Sequence, residues 1–448
     1  NEELKSKLQH LKKEANLDLD SPITKVIKSI RSLQETYDLD VDVMENFDYV
    51  VQILSSNQLF MPNLEFTGEQ MDNDVKNWLN AMIVNKTDNG ADLKAHASAE
   101  DAKKISITVE IPKLVQGNEA KIADLLETIE SWDFDLFELD RLTNGTPLYH
   151  LAMAVMQRHN IREQFGLDEQ TVRYFFRTIE SRYRPLNYHN SMHAADVLHA
   201  IHFFFATIRG EELFRPEEIF AAIIAAAIHD VDHPGVTNAY LVASSNPLAL
   251  RYNDIAVLEN HHIATAFEIM TSNPACNILA RMPVDKIKAI RSVIVAMVLA
   301  TDMANHFEFI AKFKIKVGSS NSSGGTSSLY FDDPKDRQLT LQIFIKCGDI
   351  SNAAKSLVVC QKWAERIMEE FFLQGDEERK RGMAISMFMD RNTTFIPKCQ
   401  VGFVDYIVIP LYEALDAFMR SQNHDFIAIT NLVHNRDYWK GVKPVNAL

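Results

Sequence analysis

The chain has 448 residues, 46% of them hydrophobic, and a formal net charge of −15. That length supplies one large core and a substantial flanking region, while the acidic balance argues against nucleic acid as a partner, which needs a basic footprint. No stretch approaches the roughly 20 apolar residues that span a bilayer, and the four cysteines (Cys276, Cys347, Cys360, Cys399) lack CxxC spacing, the pattern of free thiols in a reducing, cytoplasmic compartment.

Read from the start, the chain opens on Asn1 rather than Met and is polar, with no apolar signal-peptide core, as expected of a fragment of a longer protein. Leu4, Leu8, Leu11 and Ala15 follow at heptad spacing. That stripe fits either a solvated helix start or a short coiled coil that pairs two chains into a homodimer. Two amphipathic helices are predicted next, with faces Ile23, Val26, Ile27, Ile30 and Val43, Phe47, Val50, Val51, Leu54. Asp20 or Ser21 before Pro22 is the start signal of the first.

These helices make up an N-terminal region, 1–62. Over 63–119 the periodicity decays, as in a loosely structured linker with one short helix near Val75 to Ile83 and an extended piece at Ile105 to Ile111. Helical periodicity then returns over 120–448, broken by a Gly/Ser/Asn-rich loop from Val317 to Asp336. Strand-like alternation is scarce. The predicted fold is all-α, a compact multi-helix domain with a helical N-terminal extension.

Chemistry-bearing residues gather beside apolar helices. His189 and His193 sit four apart, a spacing that shares one face of a helix. His229-Asp230-Val231-Asp232-His233 follows directly on the apolar run Ile219 to Ile228, and such a group is costly there unless it is paired or binds metal. Further clusters lie at Tyr252-Asn253-Asp254 through Glu259 to His262, at Thr301-Asp302 with His306, and at Asp349 to Asn352. Five such clusters predict one convergent polar centre. Mixed imidazole and carboxylate ligands suit Zn²⁺, with Mg²⁺ or Mn²⁺ at a second, oxygen-rich position. Without a Gly-rich phosphate loop, the pattern favours metal-assisted hydrolysis of a phosphate ester.

The ordered segments YHNSMHAADV, HDVDHPG, YNDIAVLENHH, ATDMANH, CGDISN and CQVGFVDY closely resemble the HD-type catalytic domain of class I 3′,5′-cyclic nucleotide phosphodiesterases. The resemblance runs from about Glu130 to Trp439. DSPITKVI and ESWDFDLFEL look most like the type 8 subfamily, and RIMEEFFLQGDEERKRGM like type 4. What it implies is hydrolysis of cAMP or cGMP to the 5′-monophosphate, with His193, His229, Asp230 and Asp349 holding zinc. Asp230 would also reach magnesium, whose waters His233, Glu259 and Thr301 would orient. A hydroxide between the metals would attack phosphorus, and His189 would act as general acid on O3′. Tyr188, Asn352, Ile367, Gln400 and Phe403 would form the nucleotide pocket, with Gln400 on the purine edge and Phe403 and Ile367 on its faces.

Three departures bear on base preference. Gly348 stands where the family commonly has Ala, Ala353 where it has Pro, and Phe388 where type 4 relatives have Met. Losing the proline is expected to loosen the backbone that carries Asn352, which leaves cAMP and cGMP both open.

Overall fold

The computed structural model describes residues 22–37, 39–55, 72–83, 118–318 and 331–443. Both the Leu4 to Ala15 heptad and the Ile105 to Ile111 piece lie outside these residues. The chain divides into two compact units, Asn1–Asn63 and Leu64–Leu448. Among the described residues there is no strand, so the all-α expectation holds.

In the first unit, α1 (Pro22–Thr36) and α2 (Val41–Ser55) pack against each other. Arg31 Nη1 donates to Asp48 Oδ1 across the pair at 2.5 Å, joined by Gln34 Nε2 at 3.1 Å. The predicted apolar faces are only partly covered: Val51 is buried, whereas Ile23, Val26, Val43 and Val50 are exposed.

The second unit is built around α5 (Ser191–Ile208). It packs against α4 (Pro147–Arg158), α6 (Pro216–Ile228) and α10 (Pro334–Asp349). α6 is apolar all round, from Ile219 to Ile228, so burial on every side is the only way to remove that surface from water. It lies between α5 and α8 (Val284–Leu299), with α7 (Val257–Ser272) beside it. Surrounding these are α9 (His306–Gly318), α11 (Leu357–Lys380), α12 (Ile396–Phe403), α13 (Ile409–Ser421) and α14 (Ala428–Gly441).

One sequence expectation shifts here. The predicted loop from Val317 to Asp336 is shorter at both ends, because α9 continues to Gly318 and α10 begins at Pro334. Asp333 supplies the reason at the second boundary: its carboxylate accepts from Lys335 N at 2.9 Å, an N-cap followed by proline at the first helical position. The short helix expected near Val75 is present as α3 (Asn73–Ile83), packed on the second unit through Val75, Trp78 and Leu79.

Candidate active site

Four donors from three elements converge. His193 lies in the first turn of α5, His229 caps the C-terminus of α6, Asp230 follows it, and Asp349 ends α10. His193 Nε2 lies 3.1 Å from Asp349 Oδ1 and 3.5 Å from Asp230 Oδ2. His229 Nε2 lies 3.1 Å from Asp230 Oδ2, 3.5 Å from Asp349 Oδ1 and 3.3 Å from His193 Nε2. Ligands about 2.0–2.1 Å from a tetrahedral cation stand roughly 3.3–3.4 Å apart. The four atoms therefore fit one metal ion, and this is a candidate metal site.

Local structure explains why the donors face inward. His229 Nδ1 bonds Ala226 O at 2.9 Å, which places a proton on Nδ1 and turns Nε2 toward the cluster. Burial alone would raise the Asp230 carboxyl, yet the imidazolium of His229 beside it holds it well below its ordinary value. Asp349 is likewise lowered against its burial, by hydrogen bonds from His193 and His229. Both carboxylates are thus ionised and ready to bind a cation.

A second donor group forms around the other oxygen of Asp230, with His233 and His262. His262 Nε2 lies 3.6 Å from Asp230 Oδ1, and its Nδ1 bonds Val231 O at 2.7 Å. Burial pushes the His262 imidazole down to about 4, so it is neutral at pH 7. His262 was not among the predicted site residues, although its sequence cluster was. Glu259 is buried, takes two hydrogen bonds from Asn238 Nδ2, and is pushed up to about 8 by burial and then by Asp302. Thr301 is buried and its hydroxyl donates to Val298 O.

His189 departs from the helical-pair reading. Asn190 caps α5, its Oδ1 accepting from Met192 N and His193 N, so the helix begins at Ser191 and His189 precedes it. The two rings are nonetheless close, 5.9 Å between centroids at 88°. His189 Nδ1 lies 2.5 Å from Glu370 Oε1, and its ring stacks on His233 at 4.0 Å. Burial alone would lower its pKa, but the Glu370 carboxylate outweighs that and raises it to about 9. Glu370, on α11, also accepts from Tyr188 N and His189 N. Sequence reasoning missed Glu370. Its only signal was a buried-face carboxylate inside an amphipathic helix.

The remaining predicted residues lie on neighbouring elements. Asn352 Nδ2 donates to Tyr188 Oη at 2.5 Å, and the Tyr188 ring lies 4.6 Å from that of His193. Gln400 and Phe403 are one turn apart on α12, while Ile367 is on α11; Phe403 and Ile367 border the same apolar cluster. The clusters do not all converge: Asn253 and Asp254 are exposed, His306 bonds Ile407 O, and His261 pairs with Asp232 at 2.8 Å. Ala353 does not leave its turn unanchored. Asn435 Nδ2 donates to Ala353 O and Lys355 O, each at 2.9 Å, and Trp132 Nε1 donates to Ala354 O. A separate cavity of about 410 Å³, lined by Arg177, Arg184, Arg366 and others, contains none of the clustered donors.

Residues 188–428, which hold this whole arrangement, match the family described as 3′5′-cyclic nucleotide phosphodiesterase. The chain belongs to this family. Among its relatives, the human "High affinity cAMP-specific and IBMX-insensitive 3′,5′-cyclic phosphodiesterase 8A" is 36% identical over 439 residues, covering 95% of this chain and 52% of that protein. The Drosophila melanogaster protein of the same description, numbered 8, is 34% identical over 96% of this chain and 46% of its own length. Isoform F of the Drosophila 3′,5′-cyclic-AMP phosphodiesterase is 38% identical over 73% of this chain and 49% of its own length. The chain spans about half the length of these curated relatives. No helix among the described residues is long and apolar enough to cross a membrane.

Proposed function

We propose that this chain hydrolyses a 3′,5′-cyclic nucleotide to the 5′-monophosphate, with cAMP as the preferred substrate. The preference follows the relatives, which are described as cAMP-specific or as cyclic-AMP phosphodiesterases. Supporting the reaction is one observation above the others: a histidine paired with the Glu370 carboxylate stands beside a four-donor candidate metal site.

His193, His229, Asp230 and Asp349 would hold zinc, and Asp230 would also reach magnesium or manganese. Divalent cations held there would supply charge neutralisation at the phosphate and an activated water nucleophile. His233, Glu259 and Thr301, all buried, would orient water at the second position. The protein's own proton chemistry centres on His189. Held as an imidazolium by Glu370 through Nδ1, it presents Nε2–H to the departing O3′ and acts as general acid. Gln400 offers both a donor and an acceptor to the purine edge, with Phe403 and Ile367 as apolar faces and Asn352 fixed by Tyr188.

The test is side-by-side kcat/KM for cAMP and cGMP with Mg²⁺, before and after chelation and metal restoration. Hydrolysis of cAMP that chelation abolishes and metal restores is expected. Turnover that is indifferent to chelation would sink the metal mechanism, and equal use of cGMP would sink the preference.

A further inference from the structure

α3 comes from the part of the sequence read as linker, yet it is seated against the nucleotide side of the site. Its inner face is Val75, Trp78 and Leu79, at i, i+3, i+4 spacing and all buried. These residues share one apolar cluster with Phe388, Met368 and Phe372, and Phe403, Ile367 and Met303 border it. Met303 directly follows Asp302, so the helix reaches from the base residues to the edge of the metal side. Lys398, two residues before Gln400, anchors its start through Asp72 at 2.9 Å and Asp74 at 2.6 Å. A Cβ on Gly402 would stand 3.0 Å from a Val75 methyl, so glycine there admits the close approach.

The indole of Trp78 meets two rings edge-on. Its centroid lies 6.3 Å from that of Phe403 at 67°, and 5.8 Å from that of Phe388 at 64°. Edge-to-face contact fixes the orientation of an aromatic ring while leaving its other face free. The Gln400 amide, in a residue only 7% exposed, takes no hydrogen bond from α3 or from any other described residue. α3 therefore braces the rings without claiming the polar edge that would read a base.

We infer that Trp78 is a positioning residue for the nucleotide: it holds Phe403 and Phe388 at the angle that keeps a face of Phe403 open to the purine, and so sets the width of the base slot. This rests on the reading of Gln400 and Phe403 as the purine clamp. The segment upstream of the helical domain then forms part of the substrate site rather than a tether. Because the brace acts on ground-state and transition-state binding alike, its loss appears in KM rather than kcat.

Steady-state kcat and KM for cAMP, measured on the full chain with Mg²⁺, test it. Trp78→Ala is expected to raise KM about tenfold with kcat changed by less than about twofold, and Trp78→Phe to recover most of the loss. Asp72→Asn with Asp74→Asn releases the anchor through two half-exposed carboxylates, and raises KM in the same direction by a smaller factor even if Trp78→Ala does not fold. Unchanged KM in these variants overturns the inference. So does a gain in kcat/KM, which would make α3 a cover that substrate must displace. A wild-type chain inactive on both cAMP and cGMP would instead overturn the cyclic-nucleotide reading itself, whereas an active wild type with silent variants removes only the role of α3.

Discussion

Glu370 holds His189 by two contacts and its neighbour Tyr188 by a third: one carboxylate oxygen faces His189 Nδ1 at 2.5 Å, and the other accepts from the backbone N–H groups of Tyr188 and His189. A carboxylate on a 24-residue helix thus fixes both the charge and the position of a histidine that precedes a different helix.

Glu370→Gln removes the charge and keeps the shape. The high-pH limb of kcat/KM is expected to move from near 9 toward the ordinary histidine value of about 6.5, with the rate at pH 8 falling about 10–10²-fold. A pH profile and metal analysis check this together, because metal content should not change. Stability should follow the same pair. The folded-state pKa of His189 is raised, so its contribution is complete below about pH 6.5 and lost as pH rises through about 9. An unmoved pH limb in the variant would separate Glu370 from the acid.

The proposed metal ligands and the proposed acid should part company under substitution. His229→Ala and Asp349→Ala are each expected to abolish turnover and release metal, since either leaves three donors. His189→Ala should keep its metal and lose about 10²–10⁴-fold in rate. Elemental analysis of the purified variants decides between these roles; metal loss from His189→Ala would contradict its assignment.

Gly375 lies in the middle of α11, where a Cβ would stand 1.9 Å from the Met389 carbonyl oxygen. That carbonyl is backbone and cannot swing away. Gly375→Ala is expected to destabilise the fold by about 1–3 kcal/mol and to displace the neighbouring Phe388, raising KM for the nucleotide. Thermal unfolding and KM are the measurements, and a variant with wild-type values of both would show that the loop yields freely.

Asn435 restrains the turn that follows Asn352. Asn435→Ala removes two buried hydrogen bonds to Ala353 O and Lys355 O, and should cost about 1–3 kcal/mol. KM should rise with it, because Asn352 rides on the same turn. Asn435→Asp, which cannot donate through that atom, is expected to be at least as damaging.

The Leu4 to Ala15 stripe is proposed to pair two chains. Sedimentation of the chain with and without residues 1–20 should show a dimer becoming a monomer. Identical monomers in both cases would remove the idea.

Much of this protein is written locally. The all-α class, the buried α6 and the candidate ligand pair His229-Asp230 at its end can be read from the sequence, because helical periodicity and an apolar run that stops at polar residues encode burial directly. Asn190 and Asp333 cap their helices through equally short-range bonds, although the sequence reading set the first start too early and the second too late. Pairings across elements are another matter. That Asp349 meets His193 across 156 residues, and Glu370 meets His189 across 181, follows from how whole helices pack. A carboxylate inside an amphipathic helix looks the same in sequence whether it faces water or a histidine. The docking of α3 is of this kind too: composition around it reads as linker, and only the complementary rings of Phe388 and Phe403 give Trp78 somewhere to bury. Sequence alone determined which residue types could do the chemistry; tertiary packing decided which of them stand together, since spacing along a chain carries no information about neighbours supplied by distant helices.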